Sequence, residues 1–191
     1  MNRKDFLTTS ALFFGAGKIW ANQFSNMEDV LHFKDDGVVP NSKFPLLVYH
    51  NAFTARGDKG AEWLENKFLS NNWSNSWRNG IFDFQHYHSI THEVLGIYSG
   101  EALVLLGGDK GKQVTVKPGD IIIIPAGVGH KNLGSENLGV VGAYPNGMPV
   151  DIIRAQPGDR PKTDENIAAV PFPATDPLYG EKEGIVKTWK I

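Results

Sequence analysis

Between Ile81 and Tyr144 the chain advances in short β-type runs, each stopped by glycine or proline. That rhythm constrains the fold more than any other feature. Glu93–Tyr98 and Ala102–Leu106 flank Ser99-Gly100, which reads as a hairpin. Gly107–Gly111 is a second turn before Gln113–Val116. Pro118-Gly119-Asp120 is a third before Ile121–Ile124, and Pro125-Ala126-Gly127 follows. Gly139–Tyr144 is the last strong strand. Short strands with a turn about every ten residues predict an all-β sandwich or barrel. At the head of this region Phe82, Phe84, His86 and His88 alternate, so a strand here puts all four on one face.

The flanks differ in character. Residues 22–43 are polar and read as an irregular lead-in, and Phe44–His50 is a short apolar strand. Ala61–Asn71 carries Ala61, Leu64 and Phe68 at helical spacing, with Asn71-Asn72 as a stop. Trp73–Trp77 reads as irregular aromatic packing. Residues 155–191 are rich in proline and charge and read as mostly irregular. Their apolar end (Ile185, Val186, Trp189, Ile191) predicts a tail that docks. The organisation expected is an N-terminal extension over 1–21, a lead-in strand and one short helix over 22–78, a barrel core over 79–150, and a docked extension over 151–191.

Residues 1–21 open with Arg3 and Lys4 and continue into an uncharged, mostly apolar stretch too short to span a bilayer as a helix. Arg3-Lys4-Asp5-Phe6-Leu7 resembles a degenerate twin-arginine export signal. This predicts a periplasmic or exported protein. The alternative is an amphipathic N-terminal helix on a cytoplasmic one.

Composition narrows the chemistry. There is no cysteine, which removes disulfides, Fe–S clusters, thiolate zinc sites and thiol nucleophiles together. A formal net charge of −2 gives no basic face, so nucleic acid is excluded as an expected partner. Any transition-metal site must come from carboxylates and the six histidines, His32, His50, His86, His88, His92 and His130. Gly107–Lys112 lacks the spacing of a P-loop, and His92-Glu93 lacks the second histidine of a zinc protease.

His86 and His88 on one strand face form a natural bite for one metal ion. Glu93 follows after a short turn, and a closed antiparallel barrel brings His130 beside the pair. Three imidazoles and a carboxylate suit a divalent transition metal such as Fe, Mn, Ni or Zn. His92, next to Glu93, faces away on a strand unless the turn rotates it.

These residues meet a family pattern. Gly80, His86, His88, Glu93 and Gly100 match the first cupin motif throughout, and Gly119, Pro125, Gly127 and His130 match most of the second. The departure is the motif's terminal asparagine: position 134 is Gly, and Asn132 stands two residues early. The chain further resembles the small bacterial YjlB-like cupins, through Trp77-Arg78-Asn79-Gly80, His92-Glu93-Val94-Leu95-Gly96, Val141–Pro145 and Asp176–Gly180. The resemblance implies a double-stranded β-helix (jelly-roll) barrel, with His86, His88, Glu93 and His130 as metal ligands. It implies no known substrate. It also implies a homodimer formed by sheet augmentation, with the 44–50 strand and the 185–191 tail as candidate edges.

Around the ligands, His92 is a candidate supporting residue, Phe82 and Phe84 candidate walls, and Tyr98 and Tyr144 candidate hydrogen-bonding groups. His32 and His50 have no assigned part, and no general base is evident. The expectation is a metalloenzyme acting on a small anionic or enolizable molecule by dioxygenase or isomerase chemistry. The alternative is a cupin that binds or senses a metal or small ligand without turnover.

Overall fold

A computed structural model describes residues 28–189. The export signal read over residues 1–21 and the final Ile191 lie outside the described residues. Seven strands form one antiparallel system: β1 (Glu28–Leu31), β2 (Leu46–Tyr49), β3 (Trp73–Asn79), β4 (Glu93–Leu106), β5 (Lys112–Val116), β6 (Ile121–Ile124) and β7 (His130–Pro145). Their order is β1-β2-β6-β4-β7-β3, with β5 added on β4. The fold is an all-β jelly roll, as expected.

β4 and β7 are the long strands, with 14 and 16 residues, and they hold the barrel together. The first half of β4 pairs with β6 on one side and with the end of β7 on the other. Its second half pairs with β5 and with the start of β7. Ser99-Gly100 is therefore not the hairpin read from the sequence. It is a kink inside one continuous strand, marked by register shifts between Ile97 and Glu101. Gly100 has φ +62°, and a Cβ there would lie 2.1 Å from the Glu136 carbonyl oxygen. A turn-type residue here bends the strand around the barrel and does not reverse it.

β2 and β6 are buried at every position, unlike a half-exposed antiparallel strand. Leu46, Val48, Ile122 and Ile124 face the barrel interior with Leu95, Ile97 and Val104. Leu47, Tyr49, Ile121 and Ile123 face outward into a second core. That outer core is closed by α1 (Gly57–Ser70), which supplies Ala61, Leu64 and Phe68, and by the C-terminal tail. Each such fully buried Leu or Ile contributes about 2 kcal/mol. The helix can approach because β4 offers Gly96, where a Cβ would stand 2.5 Å from Leu64 Cδ2.

Several expectations change. The lead-in contains β1, and Trp73–Trp77 lies within β3. The tail carries α2 (Lys162–Ala169) and the single turn α3 (Ile185–Thr188), so the described residues hold three helices and not one. The tail does dock: Ile185 and Trp189 are buried, and Trp189 Nε1 donates to the Pro45 carbonyl at 2.7 Å. β2 is paired on both sides, and Ile185 and Trp189 of the tail are buried within their own chain. Residues 80–92 are not a strand. They touch the sheet through an isolated bridge of His86 with His130, and Tyr87 bridges Ile153 beyond the end of β7.

Candidate metal centre

Three elements bring the predicted residues together. His86 and His88 stand on the irregular segment before β4, Glu93 is the first residue of β4, and His130 is the first residue of β7. The His86–His130 bridge joins the first and last of these by reciprocal backbone hydrogen bonds of 3.3 and 2.9 Å. Ligand atoms of His86, His88 and His130 all lie within 4.8 Å of one another. Glu93 Oε2 lies 3.2 Å from His88 Nε2 and 3.3 Å from His130 Nε2. All four residues are buried, none more than 5% exposed.

The ring orientations are fixed from behind. His86 Nδ1 meets the Phe84 carbonyl at 3.1 Å, and His130 Nδ1 meets the Val128 carbonyl at 3.2 Å. His88 Nδ1 meets the Asp151 carbonyl. A carbonyl can only accept, so each Nδ1 carries the hydrogen and donates it. Each Nε2 is left with a lone pair for the centre. The Asp151 carboxylate is itself anchored, accepting from the Ser89 amide at 2.8 Å and the Ser89 hydroxyl at 2.5 Å.

Burial, reinforced by His130, holds His86 neutral, with its pKa near 3. Burial also opposes charge on Glu93, but the facing His88 and His130 imidazoles outweigh it and keep the carboxyl below its usual range. On His88 the same burial is overcome by Glu93 and the Asp151 carbonyl, so its pKa rises.

The centre opens into a cavity of about 210 Å³. Its walls include Trp77, Ile81, Phe82, Leu95, Val150 and Ile152, and among the described residues no lysine or arginine lines it. Phe82 lines the cavity and is 44% exposed. Phe84 does not line the cavity. It stacks on Phe82 at 4.8 Å and lies under the Arg154 guanidinium at 4.0 Å.

Tyr144 does reach the site. Its hydroxyl accepts from Trp77 Nε1 at 2.8 Å, and burial together with the Glu93 charge raises its pKa. Tyr98 does not, because β4 alternates. Glu93 and Leu95 face the cavity, while Tyr98 packs with the outer core. The same parity turns His92 outward. Its Nδ1 accepts the Ala126 amide at 2.9 Å, so it supports the Pro125–Gly127 turn that leads to His130 without touching the four central residues. His50 lies outside the cavity, 3.6 Å from both Asp29 and Asp120, and His32 is likewise no part of the wall.

Sequence reasoning missed Trp77, Val150, Ile152 and Asp151. Trp73 and Trp77 should share a face by parity, but a register shift between Ser74 and Trp77, with Asn75 at φ +56°, turns Trp77 into the barrel. Asn75 was a readable signal for that irregularity. Residues 150–152 lie beyond the last strand and are held at the site by the bridge at Ile153 and by the contacts of Asp151 with His88 and Ser89.

No family model matches the chain. Over 159 residues it is 42% identical to the uncharacterized protein YjlB of Bacillus subtilis (strain 168), covering 82% of this chain and 93% of that protein. Solved structures resemble it in part. A DUF861 family protein from Thermotoga maritima is 27% identical over 44% of this chain and 86% of its own, with a TM-score of 0.29. Acireductone dioxygenase from Bacillus anthracis, with a cadmium ion in its active centre, is 18% identical over 49% of this chain and 58% of its own, with a TM-score of 0.32. Bacillus subtilis oxalate decarboxylase, with Mn(II) centres, is 19% identical over 59% of this chain and 28% of its own, with a TM-score of 0.34.

Proposed function

The chain belongs to the YjlB-like cupins, and from that premise we propose that it is a metalloenzyme of dioxygenase type acting on a small, largely apolar molecule with an oxygen-donor head. One observation carries the metal. Every Nδ1–H is committed to a carbonyl, and Nε2 of His88 and of His130 converge on Glu93 Oε2 at 3.2 and 3.3 Å. In the metal-free chain a proton shared with an imidazole satisfies that contact; a cation would take the proton's place, and an all-N/O donor set of this kind suits Fe, Mn, Ni or Zn. His86, His88, Glu93 and His130 would hold it. When bound, it supplies a positive centre able to take the oxygen donors of a substrate in its remaining positions.

The wall supports the choice of chemistry. Isomerisation through an enediolate needs a base beside the metal ligands. Among the described residues the cavity offers, beyond the four, the Tyr144 hydroxyl, the Asn79 amide and the Trp77 indole N–H, and burial keeps the tyrosine protonated. Tyr144 is suited to donate a hydrogen bond, not to abstract a proton. Without lysine or arginine to pair with a second charge, the wall selects an apolar body. A dry apolar wall also strengthens each polar contact at the centre. The missing base equally favours a second reading, a cupin that holds its ligand without turnover.

Metal analysis of protein purified without a histidine tag is the direct test. One transition metal per chain supports the reading; no metal bound and none taken up overturns it. Substrate screening with and without oxygen then separates oxygenase from isomerase, and substrate bound but never consumed establishes the binding module. We place the protein outside the cytoplasm on the reading of residues 1–21. N-terminal sequencing of protein from its native host checks this, and an intact residue 1 refutes cleavage.

A further inference from the structure

Arg154 stands apart from the other arginines. Arg160 is bonded to Asp35 and Asp164, and Arg78 to Glu65. Arg56 donates to the Phe53 and Ala55 carbonyls. The Arg154 side chain is exposed, and among the described residues it meets no carboxylate or carbonyl. Its guanidinium lies over the Phe84 ring, with Cζ 4.0 Å from the centroid.

Backbone pairing puts that cation on the side of the metal ligands. Tyr87 and Ile153 form an antiparallel pair with reciprocal hydrogen bonds of 3.0 Å. Counting outward from this pair sets Ile152 across from His88 and Arg154 across from His86, both on the face away from the Ile153 side chain. The contacts agree. Ile152 lines the cavity together with His86 and His88. Phe84, which carries the guanidinium, has its centroid 5.5 Å from that of His86 and 4.8 Å from that of Phe82. Arg154 therefore stands one step beyond the lining, at the rim.

The surface between is apolar. Phe82, Val150 and Ile152 all line the cavity and are all exposed. Single exposed apolar residues need no explanation, but three at one opening form a patch. Here the patch leads from buried imidazoles to a cation with no partner in its own chain.

From this arrangement we propose that the substrate is an elongated ω-carboxylate. Its oxygen-donor head sits at the metal centre, its apolar chain crosses Phe82 and Ile152, and its distal carboxylate accepts from Arg154, whose planar fork suits that group. The proposal rests on the metal-centre reading and adds the far end of the molecule.

Hydroxamates are the probes, since their two oxygens bind metal ions. Suberic monohydroxamate carries the distal carboxylate, its methyl ester masks the charge, and acetohydroxamate is the head alone. Each is titrated into the Co(II)-loaded full chain and followed by visible absorption. The acid should bind about fivefold more tightly than the ester, the scale of a solvent-exposed ion pair. In Arg154→Met the two should bind equally, with ester affinity and cobalt affinity as in the parent, and Arg154→Lys should restore part of the preference. Ile152→Ser should weaken acid and ester alike. Cobalt bound and acetohydroxamate accepted, but acid and ester held equally by the parent, overturns this proposal alone. So does a preference for the acid that survives in Arg154→Met. No cobalt uptake, or no response to acetohydroxamate, overturns the metal-centre reading and this proposal with it.

Discussion

Glu93 and Asp176 are both buried carboxylates, and they do opposite things. Asp176 is fully enclosed, and each of its oxygens is met by fixed donors. Oδ1 accepts the amides of Leu178 and Tyr179 at 2.8 and 2.9 Å. Oδ2 accepts the Tyr49 hydroxyl at 2.8 Å and the Ile185 amide at 3.0 Å. Gly184, at φ +61°, allows the approach, since a Cβ there would lie 2.0 Å from Oδ2. Nothing is left over for a ligand. Asp176 pins the tail to β2. Glu93 is equally buried, but its partners are two imidazole nitrogens that can hold either a proton or a metal, and it faces a cavity. Saturation by fixed backbone donors marks a structural carboxylate; convergence with imidazoles on open space marks a chemical one.

The largest effect expected from breaking this contrast is at the metal. His88→Ala, or Glu93→Gln, should lower metal affinity at least a hundredfold, because each removes a donor from a four-donor set. Competition with a chelator measures it. Retained affinity in either variant would refute the ligand assignment. The unfolding midpoint of the metal-free protein should change far less than metal affinity does.

Asp176→Ala should reverse that pattern. It strands four donors in the outer core and should cost about 4 kcal/mol of stability in urea unfolding. Metal affinity of the folded fraction should stay within about twofold, since no contact joins Asp176 to the centre. A stable variant, or one that loses metal while folded, would show that the two carboxylates are not separable.

Asp151→Ala sharpens the comparison between a ligand and its support. The substitution keeps the carbonyl that orients His88 but frees the Ser89 anchor. Loss of such an outer contact lowers affinity by about tenfold. The test is the same chelator competition, with Asp151→Asn recovering part of the loss. An unchanged affinity in Asp151→Ala would remove Asp151 from the positioning scheme.

Much of this was legible before any coordinates. An all-β sandwich or barrel follows from the turn rhythm, and the jelly roll from the cupin resemblance. The grouping of His86, His88, Glu93 and His130 follows from motif spacing, which local backbone geometry preserves. What failed was continuity and parity. Ser99-Gly100 looks like a reversal because a bulge and a hairpin use the same residues. Trp77 changes face at a register shift that no alternation rule anticipates, and Tyr98, of opposite parity to Glu93 along β4, takes the structural place in the outer core that a tyrosine more often fills. Asp151, Val150 and Ile152 were invisible for another reason. They reach the site by a tertiary bridge, and nothing in a local window announces one.

The two carboxylates should also titrate with opposite sign in the metal-free protein. Glu93 is depressed in the fold by His88 and His130 against the pull of burial. Its contribution is present above the unfolded carboxyl value of 4.5 and is lost as pH falls through the lower folded value. Burial raises Asp176, and its four donors only partly offset that. Its contribution is fully present below the unfolded value of 3.8 and is lost as pH rises through the folded one. Glu93→Gln should therefore flatten the acid-side loss of stability, and Asp176→Asn should steepen it relative to the parent, each by about 1 kcal/mol or less between pH 6 and 4. Urea unfolding at a series of pH values reads both slopes. Slopes of the same sign in the two variants would mean that Asp176 stays ionised with ease, and that its donors, not its burial, set its behaviour.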